Sequence, residues 1–195
     1  MLLAVGGVAS AWCAYQASRW SSEQTASLAR ASKARLESAA QGGLANQLTQ
    51  LDVATFLAWA EAYASEQAPL ADFLRARFRP EFRPVFEEWV ASRPLKNPEA
   101  RETPFALESY RLAARERSLE LAADSERLAQ AAQYADAMSS RYVRATLVLA
   151  LGLFFAGISQ HFRSGRARVT ALGVAAGVLL LGLVGLGLML PHVLW

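Results

Sequence analysis

The sequence predicts an all-α integral membrane protein with three transmembrane helices and a long antiparallel helical hairpin between the first and second of them. Three observations predict this fold. Hydrophobic residues make up 53% of the 195-residue chain. All 17 acidic residues lie from Glu23 to Asp136, which leaves a stretch at each end of the chain without an acid. Uncharged apolar runs occupy those two ends, as helices in a bilayer require.

The boundaries of the predicted segments follow from the apolar runs and from the prolines. The segments are a first transmembrane helix at 1–19, an extramembrane helical hairpin at 20–141 with a proline-rich cap at 69–104, a second transmembrane helix at 142–160, a short basic loop at 161–168, a third transmembrane helix at 169–190 and a C-terminal tail at 191–195. Six of the seven prolines lie in the cap, so this part of the chain is predicted to be broken into short pieces.

Basic residues flank the apolar runs and do not cluster in the extramembrane part. Residues 20–141 carry 15 Lys and Arg against 17 Asp and Glu, so they are close to neutral. The other five basic residues are Arg19, Arg144, Arg163, Arg166 and Arg168. A nucleic-acid-binding surface needs clustered basic residues in the soluble part, so the sequence predicts no nucleic-acid partner.

The third and second spans are defined by their length and their lack of charge. Residues 169–190 contain no charged side chain and exceed the roughly 20 apolar residues that a bilayer core requires. Backbone groups in lipid must bond within the segment, so this run is predicted to be a helix that ends before Pro191. A second apolar run begins at Tyr142, and a turn with three arginines and no acid joins the two.

The first span is the shortest and admits two interpretations. A cleaved signal peptide would use the small residues around Ala9 and Ala11. We favour a retained membrane anchor, because the run continues past Ala11 into Trp12 and Trp20. Such aromatic residues are typical of the belt at a membrane interface.

Small residues recur at four-residue spacing in the first and third spans. They are Gly6, Ser10, Ala14 and Ser18 in the first span, and Gly173 and Gly177 in the third. Small side chains in a row let another helix approach closely. We therefore predict that these residues form helix-packing faces, and the pattern by itself does not indicate a particular oligomer.

The distribution of arginines predicts the orientation in the membrane. Short loops rich in Lys and Arg stay in the cytoplasm, whereas long loops count little. The basic loop at 161–168 is the only short loop and is therefore predicted to be cytoplasmic. Residues 20–141 and Trp195 then lie outside, and the N-terminus lies inside. Arg19, Arg141 and Arg144, at the opposite membrane face, argue for the reverse orientation.

Two apolar series predict how the arms of the hairpin pack. In the first arm the series is Leu28, Leu36, Leu44, Leu48, Leu51 and Phe56, which predicts one buried stripe on a helix that Gly42 and Gly43 can kink. In the second arm Leu107, Ala114, Leu121, Leu128, Ala135 and Tyr142 recur every seven residues. This spacing predicts a seam of the coiled-coil type, on a helix that continues into the second span.

The cap contains the one local pattern with two competing interpretations. Its members are Phe78, Arg79, Phe82, Arg83, Phe86 and Trp89, in which phenylalanines recur every four residues with arginines between them. Aromatic and arginine side chains are enriched at binding hot spots, so these six residues are candidates for a protein-docking surface. The alternative is that the four aromatic residues form a small core that closes the end of the hairpin.

Several strings of the sequence resemble a family of uncharacterised bacterial inner-membrane proteins. The strings are residues 11–12 and 15–21, 52–56, 77–84, 94–98 and 103–105, and the likeness as a whole extends over most of the chain. The resemblance implies a bacterial protein with three spans in the inner membrane, and it carries over no activity and no catalytic residue. Together with the orientation predicted from the arginines, it leads us to expect residues 20–141 in the periplasm. It also leads us to expect a short polar leader before the first span, so Met1 need not be the natural start.

The sequence predicts that the protein is not an enzyme and names no catalytic residue, cofactor or metal site. The two histidines, His161 and His192, lie at span ends without a second ligand at metal-binding spacing. Cys13 is the only cysteine and lies within the first apolar run, where it is expected to be a buried small side chain. The carboxylate pairs Glu87–Glu88 and Glu116–Glu120 are expected to be solvated surface charges.

Two classes of function remain. The favoured one is a membrane-anchored helical scaffold, sensor or accessory subunit of an envelope complex, with the lipid bilayer and a second copy or another membrane protein as partners. The alternative is an oligomeric channel or transporter component whose pore is lined by the small-residue helix faces. Transport proteins usually carry ionisable groups within their spans, and here the span interiors hold only small polar groups such as Ser10 and Thr146. The sequence identifies no small-molecule substrate.

Overall fold

The described part of the chain folds almost entirely into helices, as predicted. A computed structural model describes residues 2–94, 96–159 and 164–189. The helices are α1 (Leu2–Ala64), α2 (Ala68–Ala76), α3 (Phe82–Ala91), α4 (Ala113–Ser159) and α5 (Gly165–Met189), with a short 3₁₀ helix at Pro104–Ala106. The prediction of an all-α fold is confirmed.

The chain divides into two compact units. Unit 1 consists of Met1–Ser32 and Ser125–Trp195, and unit 2 consists of Lys33–Asp124. Helices α1 and α4 each contribute residues to both units. The cap lies within unit 2, where Pro80 separates α2 from α3, and Pro94 and Pro98 separate α3 from the 3₁₀ helix. Pro69, Pro84 and Pro104 lie in the first turns of these three helices.

Two helices are long and apolar enough to cross a membrane. They are Ala113–Ser159, in α4, and Gly165–Gly187, in α5, and they contain most of the predicted second and third spans. The N-terminal part of α1 does not meet the same criterion among the described residues, so the first span is not confirmed. The predicted tail at 191–195, both histidines and the first three residues of the basic loop lie outside the described residues.

Helices α1 and α4 pack against each other in an antiparallel direction. In unit 1, Ser139 Oγ donates to Ala17 O and Ser125 Oγ donates to Ala31 O, each at 3.0 Å. In unit 2, Ser118 Oγ donates to Ser38 O at 2.9 Å. The predicted seven-residue series on α4 is part of this seam, since its buried members are Leu121, Ala135 and Tyr142. The seam is therefore covered by α1. Leu107, the first member of the predicted series, lies before α4 begins and is not part of this helix.

The buried face of α1 differs from the predicted leucine stripe. Leu48 is half-buried, only Phe56 of the predicted series is buried, and the other four are exposed: Leu28, Leu36, Leu44 and Leu51. Small residues such as Ala31, Ala34 and Ala45 occupy the face toward α4 instead. Small side chains let two backbones approach closely enough for serine hydroxyls to reach carbonyl oxygens of the facing helix. A leucine on that face would hold the helices apart.

The glycine pair in α1 does not interrupt the helix. Helix α1 continues through Gly42 and Gly43 as far as Ala64. A Cβ atom on Gly42 would lie 3.2 Å from Ser118 Oγ, so the missing side chain allows close packing with α4. Glycine in a helix costs about 1 kcal/mol relative to alanine. The close packing against Ser118 offsets part of this cost, and the helix stays continuous.

The small-residue stripe predicted for the first span only partly faces the other helices. Gly6 is buried, and a Cβ there would lie 2.8 Å from Leu153 Cδ2. Ser10 is half-buried, whereas Ala14 and Ser18 are exposed. A row of residues four apart rotates by about 40° per step around a helix. The buried face follows the seven-residue spacing of Gly6, Cys13 and Trp20 instead, which keeps one face toward a nearly antiparallel neighbour.

The glycines that bring α4 and α5 together are not the predicted pair. Gly173 and Gly177 are exposed, and a Cβ on either would have no atom within 4 Å. Gly152 and Gly182 are the close contacts: an added Cβ would lie 2.7 Å from Leu179 Cγ and 2.7 Å from Leu149 Cδ2, respectively. Leucine side chains therefore fill the space above these two glycines.

We expect Gly152→Ala to separate α4 from α5. The added methyl group would overlap Leu179 Cγ, which lies on a packed side chain next to its own backbone and cannot move away alone. Overpacking of this kind costs about 1–3 kcal/mol. The measurement is hydrogen exchange of the full chain in lipid nanodiscs, where amides of α4 and α5 should lose protection. Gly157→Ala is the matched control on the same helix, since nothing lies within 4 Å of its added Cβ. Equal protection in both variants would contradict this packing.

Candidate functional site

Unit 2 is built around a cluster of aromatic side chains. The buried members are Phe56, Phe78, Phe82, Val85, Phe86 and Trp89, and Trp59, Phe105, Leu107 and Tyr110 pack against them. The rings meet mostly edge to face: Phe78 and Phe86 lie 4.8 Å apart, and Trp59 and Phe86 lie 4.6 Å apart. Such arrangements stabilise beyond the area that they bury. The cluster joins α1, α3 and the 3₁₀ helix into one core.

The spacing in the cap explains why α3 contributes most of this core. Residues three and four apart lie on one face of a helix, so Phe82, Val85, Phe86 and Trp89 share the face that is turned inward. The aromatic members of the predicted docking set are therefore buried, and of the two interpretations of the cap, the small core describes their position. Phe78, Phe82 and Phe86 are at most 2% exposed and present almost no surface to a partner, whereas Trp89 also borders an open pocket.

The two arginines of the predicted docking set also bind groups of their own chain. Arg79 is one half of a buried ion pair with Asp52. Arg83 is exposed, and its Nη2 donates to Ala76 O at 2.8 Å. Because Ala76 is the last residue of α2, this bond satisfies a carbonyl that has no partner within the helix. Both side chains thus hold the cap together.

A charged cluster lies beside the aromatic core. Asp52 is 1% exposed and receives two hydrogen bonds from Arg79, from Nε to Oδ1 at 3.0 Å and from Nη2 to Oδ2 at 2.8 Å. Tyr110 Oη donates to the same Oδ2 at 3.0 Å. On its outer side, Arg79 Nη1 donates to the exposed Glu81 at 3.0 Å. One carboxylate therefore connects α1, the segment before α3 and the segment before α4.

The electrostatics of this cluster favour its paired state. The hydrogen bond to Asp52 raises the pKa of the Arg79 guanidinium, so the cation persists despite partial burial. Burial raises the pKa of Tyr110, which keeps the phenol protonated and able to donate. Both Asp52 oxygens are engaged by these donors, as a buried carboxylate requires. The arrangement therefore ties the segments before α3 and α4 to α1.

An open pocket lies beside the aromatic cluster. Its cavity volume is about 550 Å³, and its lining residues are Trp59, Ala60, Tyr63, Ala64, Trp89, Val90, Arg93, Pro94 and Lys96. The end of α1 forms one wall, and the end of α3 with the turn after it forms the other. Trp59 and Tyr63 stack on each other with ring centres 5.2 Å apart. The wall is thus mainly apolar, with two cations at the turn.

The turn that carries these cations is held in an unusual conformation. Arg93 has a φ of 55°, in the left-handed region that residues with a side chain rarely adopt. Hydrogen bonds from the amides of Lys96 and Asn97 to Arg93 O, at 2.8 and 2.9 Å, close the turn. These backbone hydrogen bonds define the conformation of the turn, apart from Leu95, which lies outside the described residues.

The carboxylate pairs and the cysteine that were considered as reactive groups in the sequence have local partners or are buried. Glu87 pairs with Arg75 at 3.3 Å, Glu88 accepts from Ser109 at 2.6 Å, and Glu120 pairs with Arg117 at 3.0 Å. Cys13 is buried in unit 1. Among residues 2–94, 96–159 and 164–189, no three His, Cys, Asp or Glu side chains are grouped so that they could hold a metal ion.

Sequence patterns alone missed both Asp52 and the pocket. A lone acid on an otherwise uncharged face of α1 was the available signal for Asp52, since buried carboxylates require a partner. For the pocket, the signal was the pair Trp59 and Tyr63, four residues apart and hence on one helix face. Neither signal identifies the partner segment, which lies 20 or more residues farther along the chain.

No family model, curated protein or solved structure matches this chain. The resemblance to bacterial inner-membrane proteins with three spans therefore stays a prediction from the sequence.

Proposed function

We propose that the chain is a membrane-anchored helical scaffold of the bacterial inner membrane, which acts by binding and not by catalysis, as a sensor or accessory subunit of an envelope complex. In this proposal copies of the chain associate, and residues 20–141 lie in the periplasm. The observation that carries the proposal is a row of exposed leucines on the part of α1 that belongs to unit 2.

The leucine row has the spacing of an interface between helices. Leu36, Leu44 and Leu51 are eight and seven residues apart, and each is exposed although α1 packs against α4 on another face. Exposed Ala40 lies between Leu36 and Leu44 on this face, and exposed apolar patches on a water-facing surface mark sites of association. The spacing favours a second helix as the occupant. The same row on another copy supplies that helix, as in a symmetric dimer.

Outward-facing apolar residues in unit 1 support the membrane anchor. On α4 they include Leu147, Leu151 and Phe154, and on α5 they include Leu181 and Val184. In water these side chains would form an unfavourable apolar surface, whereas in a bilayer they contact acyl chains. The first span remains part of the proposal, since the resemblance and the interfacial aromatics favour it.

The test uses one cysteine placed on the leucine row. In a Cys13→Ala background, Leu44→Cys is compared with Arg35→Cys, an exposed position nine residues earlier and about 180° around the helix. Cells with a permeabilised outer membrane are treated with a short thiol cross-linker that does not pass the inner membrane. We expect a cross-linked dimer from Leu44→Cys and only singly modified chain from Arg35→Cys, because only Leu44 faces the second copy.

Each other outcome of this experiment is decisive. Modification of both variants without a dimer would leave the periplasmic location standing and contradict self-association. No modification of either variant would contradict the periplasmic location. A dimer from both variants would contradict the leucine row as the interface. A leak of ions from sealed vesicles that hold the purified full chain would favour the channel alternative instead.

A further inference from the structure

We propose that the pocket beside the aromatic cluster binds an amphipathic organic anion. The apolar body of the ligand lies between the rings of Trp59, Tyr63 and Trp89, and its carboxylate or phosphate contacts Arg93 and Lys96. This site adds ligand sensing to the scaffold role and does not depend on whether copies of the chain associate.

The size and the wall of the pocket fit a small molecule. A cavity volume of about 550 Å³ lies within the range of small-molecule sites, roughly 300–1,000 Å³. Such sites combine a mainly apolar lining with a few polar groups that orient the ligand. Here the aromatic rings and Val90 supply the apolar lining, and the two cations supply the polar groups.

The two helical walls of the pocket belong to the folded core of unit 2. Phe56 of α1 lies 5.4 Å from Trp89 of α3, and Trp59 lies 4.6 Å from Phe86, so the two helices are joined by the core behind the pocket. Trp89 Nε1 donates to Arg101 O at 2.8 Å, which satisfies the indole and holds the ring in place. A preformed site loses little conformational freedom on binding.

The charge of the pocket selects an anion. Elsewhere in the cap, Arg75 and Arg79 are paired with Glu87 and Asp52. In contrast, Arg93 and Lys96 are exposed, and the part of the chain that the structure describes provides neither with an ion pair. Two unpaired cations that border one apolar pocket complement a carboxylate or a phosphate, which forms charge-assisted hydrogen bonds with them.

The backbone of Arg93 supports a role for its side chain. Glycine or asparagine would fit a φ of 55° with less strain, yet an arginine occupies the position. The turn is closed by three backbone hydrogen bonds, from Arg93 N to Val90 O at 3.0 Å and from Lys96 N and Asn97 N to Arg93 O. The strained turn therefore places a cation at the edge of the pocket.

The test is photolabelling of the full chain in phosphatidylcholine nanodiscs. The probe is 4-benzoylbenzoate, an aromatic carboxylate, and its uncharged match is 4-benzoylbenzamide. We expect the carboxylate to label peptides that cover residues 57–64 and 89–97, and the amide to label them at least about tenfold more weakly, since a charge-assisted hydrogen bond contributes about 1.5–3 kcal/mol. Decanoate should compete with the probe, and decanamide should not.

Matched variants separate charge from shape. Arg93→Asn combined with Lys96→Gln removes both cations and keeps the left-handed turn accessible, so labelling by the carboxylate should fall at least about tenfold. Ala60→Leu fills the pocket without a change of charge and should also abolish labelling. Arg117→Gln removes an exposed cation on α4 and should leave labelling unchanged. Unchanged hydrogen exchange in the aromatic cluster verifies that each variant is folded.

Three results would overturn the proposal. They are equal labelling by the acid and the amide, labelling spread over the chain, and parental labelling of the variant that lacks both cations. None of these results bears on the leucine row, so failure of the ligand site and failure of the scaffold are distinguishable.

Discussion

Asp52→Ala is expected to destabilise unit 2. The substitution leaves the Arg79 guanidinium and the Tyr110 hydroxyl without the carboxylate that they share. Loss of one partner from a buried ion pair costs about 3–5 kcal/mol, because the other charge stays desolvated. Arg79 is 18% exposed, so partial access of water places the expected cost at the lower end of that range. Amide exchange around residues 49–60 and 78–90 should then accelerate about a hundredfold.

The control for this prediction uses the other carboxylate that binds Arg79. Glu81 accepts a hydrogen bond from the same guanidinium at 3.0 Å, but its side chain is 64% exposed. Exposed ion pairs contribute less than about 1 kcal/mol, so Glu81→Ala should change exchange only slightly. Combining Asp52→Leu with Arg79→Met removes both charges and should recover part of the protection. Equal effects of Asp52→Ala and Glu81→Ala would contradict a buried pair that stabilises the cap.

Phe82→Ala is expected to lower the free energy of unfolding by a similar amount, but for a different physical reason. The side chain is fully buried, stacks on Phe105 with ring centres 5.3 Å apart and meets Phe78 and Tyr110 edge to face. Truncation of a buried phenylalanine removes these contacts, leaves a cavity and costs about 3–5 kcal/mol. Hydrogen exchange of the full chain in nanodiscs should show loss of protection in α3 and in the end of α1.

Arg83→Ala is the matched control in the same helix, and it separates a core from a docking surface. Its side chain is exposed and donates mainly to Ala76 O, so we expect a loss below about 1 kcal/mol. If Phe82→Ala left exchange unchanged while it abolished binding of a partner, Phe82 would be a docking residue and not part of the core. If both variants lost the same protection, the stability of the cap would not depend on its aromatic packing.

Local sequence patterns predicted which segments of this chain form helices better than they predicted which segments pack against each other. The seven-residue series that contains Leu121, Ala135 and Tyr142 correctly marked the buried seam of α4, because helical periodicity is a property of consecutive residues. The predicted leucine stripe of α1 was wrong for the same reason. Periodicity indicates that Leu36 and Leu44 share a face, but it does not indicate that alanines on another face pack against α4. The size and hydrophobicity of leucine led us to predict the leucines as the buried face. The alanines are buried instead because their small side chains allow the two backbones to approach closely.

The candidate sites show the same limit. Phe78, Phe82, Phe86 and Trp89 were recognisable as a set from their spacing, yet the spacing fits an exposed hot spot and a small core equally well. Which of the two occurs depends on whether Phe56, Phe105 and Tyr110 cover the rings. Those residues are distant in sequence, so no local pattern links them to α3. The pocket was missed for the same reason, since its two walls come from separate helices.

By itself, the sequence determined the all-helical fold, the two apolar helices long enough for a membrane and the interruption of the chain by the cap prolines. These properties depend on the solubility and the conformational preferences of neighbouring residues, which need no knowledge of distant contacts. Only the tertiary structure decided that Asp52 binds Arg79, 27 residues away, and Tyr110, 58 residues away. It also decided which glycines touch a neighbour and where the pocket opens. Burial and pairing are properties of segments brought together by folding, and the same local pattern is compatible with several such arrangements.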